Sequence, residues 1–130
     1  MSLTVSYLEG RKFKVTCRSH SIITDQPESD EGTDQGMAPV ELLNASLTAC
    51  TAYYALAFLK RHLRDLKGLE VKCTWKYLED PHRVGTICLT IIPPHALTKQ
   101  EKSGLLRTIE HCTVENTLKH PPEIRMYIEG

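Results

Sequence analysis

Leu42-Leu43-Asn44-Ala45-Ser46-Leu47-Thr48-Ala49-Cys50-Thr51-Ala52-Tyr53-Tyr54-Ala55-Leu56-Ala57-Phe58-Leu59 is the longest apolar run of the chain. Pro39 stands just before it. A fixed φ and a missing N–H cost nothing at the first helical position, so the run reads as a helix opened by Pro39 and continuing to a stop at Gly68, after Lys67. From Ala45 to Ala57 the pattern is small and apolar nearly all round, so this helix must be covered on several sides rather than lie on a surface. A chain of 130 residues covers such a helix with difficulty. A second subunit supplying part of the cover is favoured, and a sheet wrapping the helix within one chain is the other solution. The Asn, Ser and Thr inside the run, with Lys60-Arg61-His62 behind it, suit a core helix better than a membrane span.

On the N-terminal side of the run, apolar residues recur at alternate positions. Leu3, Val5 and Tyr7, then Phe13, Val15 and Cys17, flank the turn signal Glu9-Gly10 and predict a hairpin, with a third strand at Ser21 to Thr24. Gln26 to Gly36 is rich in Pro, Ser, Asp, Glu and Gly without period, as expected of a solvated, mobile loop. On the C-terminal side, Leu69, Val71, Cys73, Trp75 and Tyr77 alternate with polar residues as a strand with one wet face. The turn Glu79-Asp80-Pro81 leads to a partner strand, Val84 to Ile92, which Pro93-Pro94 ends. Thr98 and Glu101 form a capping box, each side chain bonding the other residue's free N–H at the start of a second helix, with Leu105, Ile109 and Cys112 on one stripe. After Pro121-Pro122, Ile124, Met126 and Ile128 alternate with polar residues as a last strand. The order βββ, α, ββ, α, β groups strands in runs and predicts an α+β fold with antiparallel sheets, in one domain spanning residues 1–130.

Composition limits the function. The 16 basic and 16 acidic side chains cancel, so no overall field draws the chain toward nucleic acid or an anionic membrane. The opening Met-Ser-Leu-Thr-Val carries no secretion signal, and five cysteines in a chain of this size fit reduced thiols, so the expected location is the cytoplasm. No pair of cysteines has the short spacing of a structural zinc site, and His62, His82 and His95 are scattered, so neither a metal nor another cofactor is expected. Cys17, Cys73 and Cys88 read as packing residues on strands.

Cys50 has Ser46 and Leu47 one turn before it and Tyr53 and Tyr54 one turn after, which puts hydroxyls beside the sulfur. Glu41 lies on roughly the opposite helical face and is not expected to touch this thiol. Cys112 has two readings. In an unbroken helix it packs beside Ile109. At a break, with Thr113 capping a short helix from Glu115 to Lys119, it lies near free N–H groups that favour the thiolate. Arg11, Arg18 and His20 are basic groups able to lower a thiol pKa, and sequence alone does not place them.

The stretch from Gly32 to Leu43, continuing through Leu47-Thr48-Ala49-Cys50-Thr51-Ala52, resembles the signature of the OsmC/Ohr family, as does Cys112-Thr113-Val114-Glu115-Asn116-Thr117-Leu118. Arg18-Ser19-His20 and Asp25-Gln26-Pro27 resemble the strand and loop that precede the signature in the OsmC-like branch. The resemblance covers nearly the whole chain and implies an intertwined homodimer, with antiparallel sheets wrapped around long central helices. It also implies a thiol peroxidase. Cys50 would attack an organic hydroperoxide or H2O2 and become a sulfenic acid, Cys112 would condense with it to a disulfide, and a dithiol reductant, lipoyl-linked in some members, would reopen that bond. Arg11 is the best positional match to the arginine that stabilises the thiolate.

The sequence departs from that pattern in three places. Val40 stands where peroxidase members have Glu, with Glu41 beside it. The match of Arg11 crosses loops of differing length, and Thr113 replaces the Pro that usually follows the second cysteine. Val40 supports an alternative in which the dimer binds a small apolar or thiol-reactive ligand with little turnover. A further alternative makes every cysteine a packing residue.

Overall fold

The structure, a computed structural model, describes residues 1–130. The chain divides into two compact units, Met1–Asn44 and Ala45–Gly130, with the boundary inside the long helix.

The first unit is an antiparallel sheet in the order β1 (Thr4–Glu9), β2 (Lys12–Cys17), β3 (His20–Thr24). Its strands are those the alternation predicts. The sheet holds apolar side chains that the unit leaves open to solvent, among them Leu3, Val5, Tyr7, Phe13 and Ile22. The fully buried residues of this unit, Thr24, Asp25 and Asn44, are all polar. A sheet whose apolar faces stay wet gains little from folding, so this one needs cover.

The segment after β3 has more order than its composition suggests. Asp25, only 1% exposed, accepts hydrogen bonds from the Thr33 hydroxyl at 2.7 Å and from the backbone N–H groups of Gln26 at 2.7 Å and Gln35 at 3.1 Å. A single turn of 3-10 helix, Glu28–Asp30, forms inside the loop. Gly32 closes it, since a β-carbon there would sit 1.9 Å from the Gln26 carbonyl oxygen. One carboxylate thus takes the place of a periodic ladder, and this kind of order leaves no period in the sequence.

The helix α1 (Pro39–Arg61) starts where Pro39 predicts. Glu41 accepts from the N–H of Ala38 at 2.9 Å, so it serves the helix start. Of the part of α1 in the second unit, Leu47, Thr51, Ala55, Phe58 and Leu59 are buried, a stripe at helical spacing. Tyr53 and Leu56 on other faces stay 64% and 38% exposed. Length and composition alone would also let α1 cross a membrane; its buried stripe packs instead on Leu105 and Ile109.

α1 ends at Arg61, short of the expected stop at Gly68. Leu63 adopts a left-handed backbone, φ 54°. The N–H of Arg64 then reaches the Leu59 carbonyl at 2.9 Å and that of Leu63 reaches Lys60 at 3.1 Å, a Schellman closure made without glycine.

The second unit adds the antiparallel hairpin β4 (Glu70–Leu78) and β5 (Arg83–Ile92), α2 (Lys99–Ile109) and α3 (Thr113–Lys119). Val71, Cys73 and Trp75 are half-buried while Glu70, Lys72 and Thr74 are exposed, matching the predicted alternation. Thr98 and Glu101 form the expected capping box. Ala55, Phe58, Leu59, Leu105 and Ile109 make the core, with Ile91 and Leu97 packed against it.

The last strand predicted at Ile124 to Ile128 is absent from the single chain, where residues 121–130 have no regular structure. Ile124, Met126 and Ile128 are 76%, 89% and 100% exposed. A strand needs a neighbour with free N–H and C=O groups, and this segment pairs with none in its own chain.

Candidate functional site

Cys50 and Cys112 are brought together. Cys50 lies half-buried in the middle of α1, and Cys112, fully buried, lies in the break between α2 and α3. Cys50 lies near enough to act on the Cys112 thiol, and its proximity favours the protonated form of Cys112.

The break at Cys112 resolves its two readings. α2 stops at Ile109, and α3 opens directly at Thr113 with Cys112 itself as its cap, the sulfur accepting from the Glu115 N–H at 3.5 Å. Thr113, expected as the cap, is instead the first helical residue, and its carbonyl accepts from the Thr117 hydroxyl at 2.8 Å. The helix-start N–H groups favour a thiolate, as the break reading requires, but they lose. Burial first, then the nearby Cys50, pushes the Cys112 thiol above its ordinary value, and the Glu115 N–H opposes this only in part.

An apolar cleft of about 380 Å³ opens among α1, β5 and α3, lined by near neighbours of both cysteines in sequence and by neither thiol itself. Leu47, one helical turn before Cys50, lines it with Ile87, Leu89 and Leu118, while Glu115, three residues after Cys112, stands at the polar end. Glu115 is paired there with Lys119 at 2.9 Å. Such a lining suits an uncharged organic molecule better than an ion. Sequence reading missed this cleft because its walls come from three elements, and a helical or strand period reports only the face of one.

Arg11 lies in the first unit, at the first hairpin turn, where it forms an ion pair with Glu31. No signal in the sequence links these two residues, since Glu31 lies in a loop without period. Cys17 is half-buried and donates to the Ser2 carbonyl at 3.6 Å, Cys73 is half-buried on β4, and Cys88 is exposed on β5. No group of His, Cys, Asp and Glu side chains is arranged to hold a metal ion.

A search of curated proteins finds no sequence match for the chain. Solved structures do match it. A protein from Psychrobacter arcticus 273-4, named for osmotic stress induction and the detoxification response, superposes with a TM-score of 0.82 at 22% identity over 90% of this chain and 87% of its own. An OsmC-like protein from Mycoplasma pneumoniae gives 0.75 at 20% identity over 92% and 87%. An organic hydroperoxide resistance protein OsmC from Legionella pneumophila gives 0.66 at 16% identity over 92% and 90%. At these identities the likeness speaks for the fold alone: α+β, with antiparallel sheets and helices. The sequence itself matches the OsmC-like protein family over residues 32–126, a span holding both Cys50 and Cys112 and most of the chain, so this protein is a member of the OsmC-like family.

Proposed function

We propose that the chain is a homodimeric thiol peroxidase that reduces organic hydroperoxides, with Cys50 as the attacking thiol and Cys112 as the resolving one. The observation that carries this reading is the proximity of two thiols far apart in sequence, Cys50 on α1 and Cys112 at the break between α2 and α3. The chemistry follows from that geometry. Cys50, as thiolate, attacks the distal oxygen of the hydroperoxide. The O–O bond breaks, Cys50 becomes a sulfenic acid, and the alkoxide leaves and takes a proton to give the alcohol. Cys112 then attacks the sulfenic sulfur, a disulfide forms, and the hydroxyl departs as water. A dithiol reductant restores both thiols.

Val40 stands where peroxidase members carry a carboxylate at the start of the helix, which leaves the arginine of the family pattern as the thiolate-stabilising group. Arg11 has a carboxylate partner in Glu31, and we assign it the role of thiolate stabiliser by its place in the family pattern. The cytoplasm, with its reducing pool, suits an enzyme that must return to two free thiols.

The reading is tested by adding stoichiometric cumene hydroperoxide to the reduced protein and mapping non-reduced peptides by mass spectrometry. A disulfide between Cys50 and Cys112 that forms within seconds and reopens with a dithiol is the expected result. In Cys112→Ser the sulfenic acid on Cys50 should persist long enough to be trapped by dimedone. Survival of both thiols in the wild-type protein overturns the peroxidase reading and leaves a dimer that binds ligands at the apolar cleft.

A further inference from the structure

A second cleft, of about 390 Å³, opens between the C-terminal end of α1 and α2, and it uses neither thiol. Phe58 and Gly104 form its floor, and Arg61, His62, Arg107 and His111 line it, with no carboxylate among the lining residues. The fold brings these groups close. A β-carbon on Gly104 would lie 3.0 Å from the Phe58 ring and 3.8 Å from the guanidinium of Arg107, so the missing side chain lets the helix approach the ring and Arg107 fold over it.

Two of the lining groups are already oriented. Arg61 donates to the Thr108 hydroxyl at 3.3 Å, which holds the guanidinium against α2. The His62 ring stacks on Phe58 with centroids 4.1 Å apart, and its Nδ1 lies 2.9 Å from the Phe58 carbonyl oxygen. A carbonyl only accepts, so Nδ1 carries the hydrogen and this bond, with the stacking, fixes the ring's orientation.

A cation near the C-terminal end of a helix is ordinary, and the helix dipole accounts for Arg61 and Arg107 one at a time. It does not account for their convergence. Of the other arginines, Arg11, Arg64 and Arg125 each have a carboxylate within ion-pair distance, Arg83 donates to the Glu79 and Pro81 carbonyls, and Arg18 has no ion pair. Arg61 and Arg107 have none, and two imidazoles stand beside them. Like charges gathered in a concave site without a counter-ion repel one another, and an oxyanion removes that repulsion. Guanidinium forks match phosphate oxygens two at a time, which a carboxylate satisfies less fully when two forks converge.

We propose that this cleft is a binding site for a small phosphate-bearing molecule, held by Arg61 and Arg107 with His62 and His111 beside them. The site lies within the second unit and does not depend on the peroxidase reading.

The test is calorimetric titration of the full-length protein with pyrophosphate at fixed ionic strength, with hydroperoxide consumption measured in parallel. Saturable binding is expected, weakened about tenfold or more by Arg61→Ala and by Arg107→Ala, as the loss of a charge-assisted bond dictates. Arg61→Lys should recover part of that loss, and Arg125→Ala, at a distant arginine paired with Glu123, should leave binding unchanged. Hydroperoxide consumption should be the same in all four variants. Both alanine changes are at exposed side chains, and thermal melts confirm that each variant is folded. Absence of saturable binding, equal weakening by Arg125→Ala, or binding indifferent to Arg61 and Arg107 overturns the proposal, the second outcome meaning diffuse charge attraction only.

Discussion

Asp25 is the most constrained carboxylate in the chain, and its donors give the fold a measurable acid dependence. The Thr33 hydroxyl, foremost, and the N–H groups of Gln26, Gln35 and Thr33 hold its pKa at about 2 against an ordinary value of 3.8, with burial pulling the other way. As pH falls, the unfolded chain takes up this proton first, so acid favours unfolding. The stabilisation is complete above pH 3.8 and is lost as pH drops through about 2. Asp25→Asn should lower stability at neutral pH, since an amide NH2 replaces one acceptor oxygen facing N–H donors. It should also flatten the decline in urea midpoint between pH 3.8 and about 2. An unchanged acid limb in the variant would remove Asp25 from this role. Little of it was legible in the sequence, because side-chain bonds to backbone have no period. Cys50 and Cys112 were legible as candidates for the opposite reason, each lying within a family motif. Their proximity was not, since helical pitch tells which face a thiol occupies and says nothing of what it meets. Reading Cys112 further needed a contest of magnitudes between helix-start N–H groups and burial, and only the structure shows burial winning.

Strands and helix starts were legible because each rests on local chemistry: alternation for β1 to β5, Pro39 for α1, and the reciprocal bonds of Thr98 and Glu101 for α2. The end of α1 was not. Gly68 is the residue that most easily takes a left-handed backbone, yet the chain turns at Leu63. That choice is costly to a residue with a β-carbon, by about 1–2 kcal/mol, and the side chain of Leu63 recovers nothing by packing while the residue is 94% exposed. Leu63→Gly should therefore stabilise the protein. Glycine's greater freedom in the unfolded chain takes back about 0.5–1 kcal/mol, so the expected net gain is about 0.5–1 kcal/mol, read from the denaturant midpoint at unchanged slope. A loss of stability instead would mean that the leucine is covered by something the isolated chain does not contain.

Cover is the question at the scale of the whole molecule. A first unit whose fully buried residues are all polar, a helix with Tyr53 64% exposed, and a C-terminal segment with Ile128 100% exposed together present more apolar surface than a chain folding alone would keep. The sequence pointed the same way in the all-round apolar character of α1, and its alternation from Ile124 to Ile128 predicted a strand that the single chain does not form. We therefore propose that two copies wrap around each other, with the α1 helices packed together and residues 121–130 pairing with a sheet edge of the partner. Each copy then completes the strand that it lacks alone. The light-scattering mass of the purified protein should be twice the 14.7 kDa of one chain, and its melting temperature should rise with concentration, because association stabilises only the folded state. Tyr53→Glu discriminates further. On a free surface the change costs within about 0.5 kcal/mol. At the centre of a helix interface it buries an unpaired charge, so the variant should run at the mass of a single chain, with a melting temperature lower and less dependent on concentration. Deleting residues 121–130 should weaken the dimer as well, since the partner's sheet edge loses its added strand. A wild-type protein that stays monomeric at all concentrations would sink the proposal. The exposed faces of the first unit would then have to be covered by a different partner.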